Sequence, residues 1–499
     1  MAAVVGIVLV AAAARLWNIG AGIPNGVGQD EPHIMDRVVR MMKTGDFNPH
    51  FFDWPSLTFY LNLIVTVGAF VLGSMRGAWS HLDQVSADQF YLAGRQFTAL
   101  IGTATVALTF AAGRRWSLGV AVFAAAFMAV MPNSVRESHY VLTDTPTAFF
   151  TTLALVLSLR AGERGTRASV LGAALTAGLA ASCKYNGAMA VVFPIIAVIR
   201  MGGGWSFISG RIGLVAAAAA AGFIVGTPYA VLDLPAFLND YARLAAVFAR
   251  ERHGDPGWSI YLKHFSNSVS MVSALVVGFG LVAVLVRGVV RQAERGPALM
   301  LLAFVAIYFT VMAGSYQIYA RYLLPLLPPL AIAGGVGVMS IVGWVRPRVA
   351  SRWAPILTGG VLSALVLTSS VMSVVALGRG GSKPSTIAQA YEWILKNVPA
   401  GSKVAIEYGA TRLPDRYPVV AARLFVARTI EDYRQQGVQY FLAAAPEYQG
   451  TLTNPGADPG LTERYRVFFA GTRLVASFDP TDRVGGPPVR IFQIIDAKQ

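Results

Sequence analysis

Charge is scarce in this 499-residue chain: Asp, Glu, Lys and Arg make up 13% of it, against a hydrophobic share of 55% and a mean hydropathy of +0.54. A soluble globular domain carries about 25% charged residues, so the deficit excludes a soluble enzyme and indicates a polytopic membrane protein. Cysteine is nearly absent; Cys183 alone forbids an intramolecular disulfide and leaves the compartment unread. No Cys/His spacing of a zinc site and no basic–aromatic strip are present. The net charge of +15 is carried mostly by short loops between apolar runs, where it sets orientation, and no nucleic-acid partner is expected. No internal repeat is visible. The N-terminus lacks a basic n-region, and no small-residue cleavage site precedes Arg15. The first segment is therefore expected to be a retained anchor rather than a signal peptide. It is short for a span, as a truncated cytoplasmic start would make it.

What is there begins with Gly28-Gln29-Asp30-Glu31-Pro32-His33, directly after the first apolar segment. Ile34, Met35, Val38, Val39, Met41 and Met42 follow at helical spacing with Asp36, Arg37, Arg40 and Lys43 between them, an amphipathic helix for a membrane surface. Pro32 suits its first turn, with Asp30 or Gln29 near the cap and Glu31 favouring the dipole. Taken alone, those local roles account for both carboxylates. Residues 47–56 are aromatic and turn-rich and suit the headgroup level. Apolar runs follow at 56–73, 90–112, 118–131, 144–159, 168–182, 187–199, 212–226, 265–286, 297–314, 322–344 and 354–377. If 56–73 is a juxtamembrane hairpin that does not cross, the basic clusters fall on one side, as the positive-inside rule requires. These are Arg114-Arg115, Arg160/Arg164/Arg167, Arg200/Arg211, Arg287/Arg291/Arg295 and Arg346/Arg348/Arg352. Asp30, Asp144, Lys184, Tyr229, Arg321 and the C-terminal region then share the other side. The expectation is that hairpin plus about eleven spanning helices.

The outer side is the richer in chemistry. Asn133 to Tyr140 reads NSVRESHY, and Asp144 with Pro146 opens the next helix. A cap explains Asp144, but not Arg136, Glu137 or His139. Ser182-Cys183-Lys184-Tyr185-Asn186-Gly187 interrupts an apolar stretch, where an ionisable group at a helix centre costs about 2.5–3.5 kcal/mol. Lys184 either snorkels or binds an anion in a pocket shaped by Tyr185 and Asn186. Residues 233–253 form a second interfacial helix with Tyr241, Leu244, Val247 and Phe248 on one face. Arg321, among Tyr316, Tyr319 and Tyr322, precedes a proline-broken span; it suits a phosphate or an interfacial anchor. From about 380 a small α/β unit is expected: a helix at 385–397 with Ala388, Tyr391, Ile394 and Leu395 inward, strands at 403–408, 438–444, 465–478 and 489–495, and a helix at 429–436. Glu407 and Asp415 read as surface acids, 454–460 as a loop, and the unit as a cover or orienting element without catalytic residues. The division is 1–379 for the membrane module and 380–499 for this domain.

Carboxylates, histidines and cations on one surface between two interfacial helices suit the attack of an acceptor hydroxyl and the departure of a phosphate. The layout resembles the GT-C class of polytopic glycosyltransferases, and within it family 39, the protein O-mannosyltransferases and bacterial aminoarabinose transferases. The motifs are Arg15-Leu16-Trp17 before Asp30-Glu31, Pro49-His50-Phe51 with Pro55-Ser56-Leu57, Ser138-His139-Tyr140 with Asp144, Lys184-Tyr185-Asn186, and Arg321-Tyr322-Leu323-Leu324-Pro325. The resemblance covers the whole membrane part.

It implies a polytopic all-α fold with an extracytoplasmic α/β domain in a bacterial-type plasma membrane. It implies a polyprenyl-phosphate sugar donor and an acceptor lipid, glycan or protein. Asp30 becomes the principal acid–base residue, with Glu31 beside it and Asp144 as a second acidic site. Lys184, Arg321 and Arg136 become phosphate ligands, and His50, His139, Tyr140, Tyr185, Asn186 and Tyr322 pocket residues. One departure stands out: many bacterial relatives carry a basic Lys-Pro-Pro element where this chain has Asp53-Trp54-Pro55-Ser56, which shifts phosphate binding toward Lys184 or Arg136. A divalent cation on His33, His50 or His139 with Asp30 or Glu31 remains open, as no tight spacing demands it. The alternatives are a lipid-linked glycan polymerase or ligase, which would lean on Arg and His in a large outer loop, and a carrier or flippase of an anionic lipid, which would want repeats and a polar path.

Overall fold

A computed structural model describes residues 2–495 apart from 24–27, 29, 203, 251–254, 350, 352, 408–412, 423, 445–447, 449–451 and 453–458. Gln29, Arg252, His253, Arg352, Tyr408 and the 454–458 stretch of the expected loop lie outside the described residues. The chain forms two units, Met1–Ile19 with His33–Leu377, and Gly20–Pro32 with Gly378–Gln499.

The first unit is helical: α1 (Ala2–Leu16), α2 (Glu31–Thr44, entering this unit at His33), α3 (Leu57–Met75), α4 (Ala87–Gly113), α5 (Leu118–Val130), α6 (Pro132–Glu137), α7 (Asp144–Arg164), α8 (Arg167–Cys183), α9 (Val192–Met201), α10 (Trp205–Gly226), α11 (Tyr229–Leu232), α12 (Leu234–Phe248), α13 (Gly257–Val269), α14 (Met271–Val290), α15 (Gln292–Ala313), α16 (Leu327–Val345) and α17 (Ala354–Gly381). Among the described residues seven helices are long and apolar enough to cross a membrane: Leu57–Met75, Asp88–Gly113, Ile208–Gly226, Met271–Val290, Gln292–Ala313, Ala320–Val345 and Ala354–Gly381. Four shorter apolar helices accompany them, Ala2–Leu16, Leu118–Val130, Arg167–Cys183 and Tyr185–Met201.

In place of a hairpin at 56–73, α3 is one unbroken helix of 19 residues. Nothing in Leu57–Met75 forces a turn, and Gly73 serves packing instead, its bare Cα lying under the Trp79 ring. Ser56 N–H donates to Thr227 Oγ1 (3.1 Å) at the entry, and Asp83 beyond the exit pairs with Lys43 of α2 (2.6 Å). The interfacial helix expected over 233–253 is α12, ending at Phe248.

Small residues set the packing. α8 and α10 meet backbone to backbone because a Cβ on Gly178 would strike the Ala219 carbonyl, and one on Gly222 the Leu175 carbonyl. Arg15, fully buried, caps the end of α5: Nη1 donates to Ala129 O (3.0 Å), and Nη2 to Met128 O (3.1 Å) and Ser134 Oγ (2.9 Å).

In the second unit α18 (Thr386–Asn397) is followed by β1 (Lys403–Glu407), β2 (Val419–Ala422), α19 (Ile430–Gln435), β3 (Val438–Ala444), the helix Pro459–Ala470, β4 (Thr472–Phe478) and β5 (Val489–Ile494). The sheet order is β2-β1-β3-β5-β4, with β1 parallel to β2 and β3, and β5 antiparallel to β3 and β4. Side chains alternate across the sheet. Val404, Ile406 and Leu442 pack with Ile387, Ala390 and Ile394 of α18, while Ala405 and Phe441 pack with Phe425, Tyr433 and Phe468. Ile387, Ala390 and Ile394, rather than Ala388 and Tyr391, therefore form the inward face of α18. The expected strand at 465–478 is half helix: Tyr465, Phe468 and Phe469 recur at 3.6-residue spacing, and β4 starts only after Gly471. Glu407 is fully buried at the end of β1, not a surface acid.

Candidate active site

Three chain segments of the first unit begin at one place. α7 starts at Asp144, a 3₁₀ turn (Tyr185–Val191) leads from Lys184 into α9, and a second 3₁₀ turn (Ala320–Leu326) leads into α16. The local sequence explains both breaks. Gly187 sits where a Cβ would meet the Ala180 carbonyl, so only glycine lets the chain fold back on α8. Pro325, before α16, and Pro328 and Pro329, in its first turn, lack backbone N–H donors. Each N-terminus carries partial positive charge from its unpaired N–H groups.

Lys184 Nζ donates to Asp144 Oδ1 at 2.6 Å, and Arg321 Nε lies 3.8 Å from Asp144 Oδ2. Asp144 is 3% exposed, Lys184 13% and Arg321 24%, so the cluster is buried beneath a cationic rim. Lys184 Nζ stands 4.0 Å over the Tyr322 ring, and the Arg321 guanidinium 4.6 Å from Tyr319. One carboxylate between two cations leaves a positive charge in excess, and the helix N-termini add to it. Such a site suits an anion.

Arg136 and Glu137 border this cluster. Arg136 Nε and Nη2 donate to Glu137 Oε1 (2.8 and 2.6 Å), and Nη2 also donates to Asn133 Oδ1 (2.7 Å). Burial pushes the Glu137 carboxyl above its usual range; Arg136 and Arg321 oppose the rise and nearby Asp144 adds to it. Arg136 is thus engaged by a carboxylate. Glu137, Asn133 and Tyr308 join the cluster without having been read as site residues. For Tyr308 the signal was available in Pro325, whose missing N–H frees a carbonyl.

The other expected pocket residues go elsewhere. His139 is held by the Ala14 and Arg15 main chain at the end of α1, and its pKa drops to about 4 through burial, reinforced by Arg15 and Arg95. Tyr140 lies under the Arg95 guanidinium (5.3 Å). His50 pairs with Asp46 (2.8 Å) in the loop after α2. Tyr185 Oη donates to the Phe52 carbonyl (2.7 Å) and meets Tyr241 edge-on, while Asn186 does join the cluster through Tyr308 (2.7 Å). Asp53, in the loop that departs from the Lys-Pro-Pro pattern, accepts from Arg243 (2.7 Å) and so faces α12; burial raises its carboxyl pKa against that guanidinium. Asp30 and Glu31 fall in the second unit's Gly20–Pro32 segment. There the Gly28 N–H donates to Glu31 Oε2 (2.5 Å), and the Glu31 N–H to the Gly28 carbonyl (3.1 Å). His33 stacks with Phe51. Among the described residues no three His, Cys, Asp or Glu side chains gather as a metal ligand set.

Away from this cluster the same helices end in basic turns. Arg115 pairs with Glu163 (3.0 Å), and Arg287 and Arg291 share Glu294 (2.7 and 3.0 Å).

The fold is that of the GT-C glycosyltransferases, and the chain is an integral membrane protein. Over residues 5–225 the sequence matches the family model described as dolichyl-phosphate-mannose-protein mannosyltransferase (PMT). Among solved structures, ArnT from Cupriavidus metallidurans bound to undecaprenyl phosphate is similar at 15% identity and a TM-score of 0.59, over 99% of this chain and 98% of that one. The apo oligosaccharyltransferase of Archaeoglobus fulgidus is similar at 13% identity and a TM-score of 0.60, over 90% of this chain and 70% of that one. The AglB oligosaccharyltransferase of that organism, in complex with an inhibitory peptide and a dolichol-phosphate, gives 14%, 0.56, 89% and 69% in the same order. Among curated proteins no significant match is found.

Proposed function

We propose that the protein transfers a sugar from a polyprenyl-phosphate donor to an acceptor hydroxyl on the membrane face away from the cytoplasm. The observation that carries this reading is the buried Asp144–Lys184–Arg321 cluster at the start of three helical segments. It matches the charge of a lipid phosphate entering from the bilayer. The undecaprenyl phosphate and dolichol-phosphate bound by structures of like fold support the choice of ligand.

In this reading Lys184 and Arg321 bind the donor phosphate and neutralise the charge that grows on it as the anomeric C–O bond breaks. Asp144 accepts a short hydrogen bond from Lys184 and lies beside Arg321, which gives it the work of aiming both cations. Asp30 takes the proton from the attacking hydroxyl as general base, with Glu31 beside it. The new bond forms on the face opposite the departing phosphate, so the anomeric configuration inverts. The proton ends on Asp30 and the electron pair on the lipid phosphate. The basic turns far from the cluster support its sidedness through the positive-inside rule; a bacterial-type plasma membrane and an extracytoplasmic C-terminal domain belong to the same proposal.

The test is to incubate membranes containing the protein with a panel of labelled polyprenyl-phosphate sugars. The expected result is label transferred from one of them to an endogenous acceptor, absent with D30N. Release of no label from any donor, or full transfer by D30N, contradicts the reading.

A further inference from the structure

Tyr308 sits within the apolar helix α15, fully buried, where hydropathy gives it only a lining role. Its hydroxyl nevertheless makes two hydrogen bonds. It accepts from Asn186 Nδ2 at 2.7 Å and donates to the Tyr322 carbonyl at 2.8 Å. The second bond has a cause in the sequence. In a 3₁₀ turn the N–H of residue 325 would serve the carbonyl of residue 322, and residue 325 is proline. That orphaned carbonyl lies directly after Arg321. Asn186, at the other end of the link, lies two residues after Lys184. One hydroxyl therefore ties the turn that carries Lys184 to the turn that carries Arg321. On the other flank Asn133 Nδ2 donates to the Ala320 carbonyl at 2.7 Å, so side chains from other helices hold the carbonyls on both sides of Arg321.

We propose that Tyr308 is a positioning residue of the lipid-phosphate site: it couples the two proline- and glycine-broken turns so that Lys184 and Arg321 converge on one phosphate. The inference rests on the functional reading above. Tyr308 itself touches no substrate; it acts through the backbone of residue 322. Without its hydroxyl the Tyr322 carbonyl is buried and unsatisfied, and the turn must shift to find a donor.

The test uses the full-length protein in nanodiscs, titrated with undecaprenyl phosphate, with thermal unfolding recorded in parallel. Y308F keeps the ring and removes both bonds. The expected result is binding weakened about tenfold, from two bonds worth about threefold each. Placed on R321Q, which already lacks the guanidinium, Y308F should weaken binding by less than about half that factor, because the group it positions is gone. A purely structural role would lower the melting temperature while leaving the binding of folded protein unchanged, or would add the same factor on both backgrounds; either outcome overturns the proposal. N186A breaks the link from the other end and must show the same background dependence, which keeps the test decisive where Y308F does not fold. A wild type that binds no undecaprenyl phosphate overturns the functional reading and this inference together. Tight wild-type binding matched by Y308F overturns the inference alone.

Discussion

The helices of the membrane unit are built differently at their two ends. At the basic end they stop in ordinary turns, and the ion pair Arg115–Glu163 is 38% and 48% exposed. At the other end two helical segments begin in 3₁₀ turns, Lys184 and Asp144 are paired out of solvent, and a tyrosine hydroxyl and two asparagine amides hold the broken segments. Exposed pairs such as Arg115–Glu163 contribute about 0–1 kcal/mol, while Arg287–Glu294 at the same end is mostly buried and shares its carboxylate with the exposed Arg291. Buried pairs recover their desolvation only when every partner is present. Irregular backbone at this depth persists where it lines a site. The contrast separates charges that place the protein in its membrane from charges that bind something.

The largest expected effect is chemical. Asp30→Asn should lower transfer by about 10²–10⁴-fold, the range for a general base, with lipid-phosphate affinity unchanged; a kinetic assay beside a binding titration separates the two. Next comes Asp144→Ala, which leaves Lys184 buried without its carboxylate and should destabilise the protein by about 3–5 kcal/mol. Unfolding in detergent measures it, and adding Lys184→Met should restore much of the loss. Lys184→Ala and Arg321→Ala should each weaken donor binding by about 10–100-fold, as for charge-assisted hydrogen bonds, while the KM for the acceptor stays within about twofold.

Smaller is a pH effect at the end of α1. His139 has a native pKa of about 4, lowered from 6.5 by burial first and then by Arg15 and Arg95. Its folded environment prefers the neutral ring, so its contribution is complete above about pH 6.5 and is lost as the pH falls through about 4. Melting temperatures recorded from pH 7 to pH 4 should fall less steeply for His139→Gln. Smallest of all, Glu163→Ala at the basic end should change stability by less than about 1 kcal/mol; a loss as large as that of Asp144→Ala would erase the contrast between the ends.

Much of the buried cluster was legible because charge inside an apolar run has few explanations. Lys184 and Arg321 interrupt such runs, Asp144 opens one, and the fold brings all three together with Tyr322 and Asn186. The run Asn133 to Tyr140 misled because it reads as one polar patch. In the fold it turns a corner, sending Asn133, Arg136 and Glu137 toward Arg321, and His139 and Tyr140 toward Arg15 and Arg95. His50 and Tyr185 were engaged by Asp46 and the Phe52 carbonyl, partners that composition does not reveal. Hydropathy also reads a helix such as α3 as easily as a hairpin, since a period of 3.6 survives in both. Aromatic residues at 465–469 suit strand and helix alike until packing decides. The GT-C architecture itself was legible in the order of motifs from Arg15 to Pro325.

The most direct test of the contrast is a titration of undecaprenyl phosphate into the purified protein, comparing wild type, K184A, R321A and R115A. The account expects wild type and R115A to bind alike, and K184A and R321A to bind at least about tenfold more weakly. Equal affinity in all four proteins, or a loss confined to R115A, would contradict it.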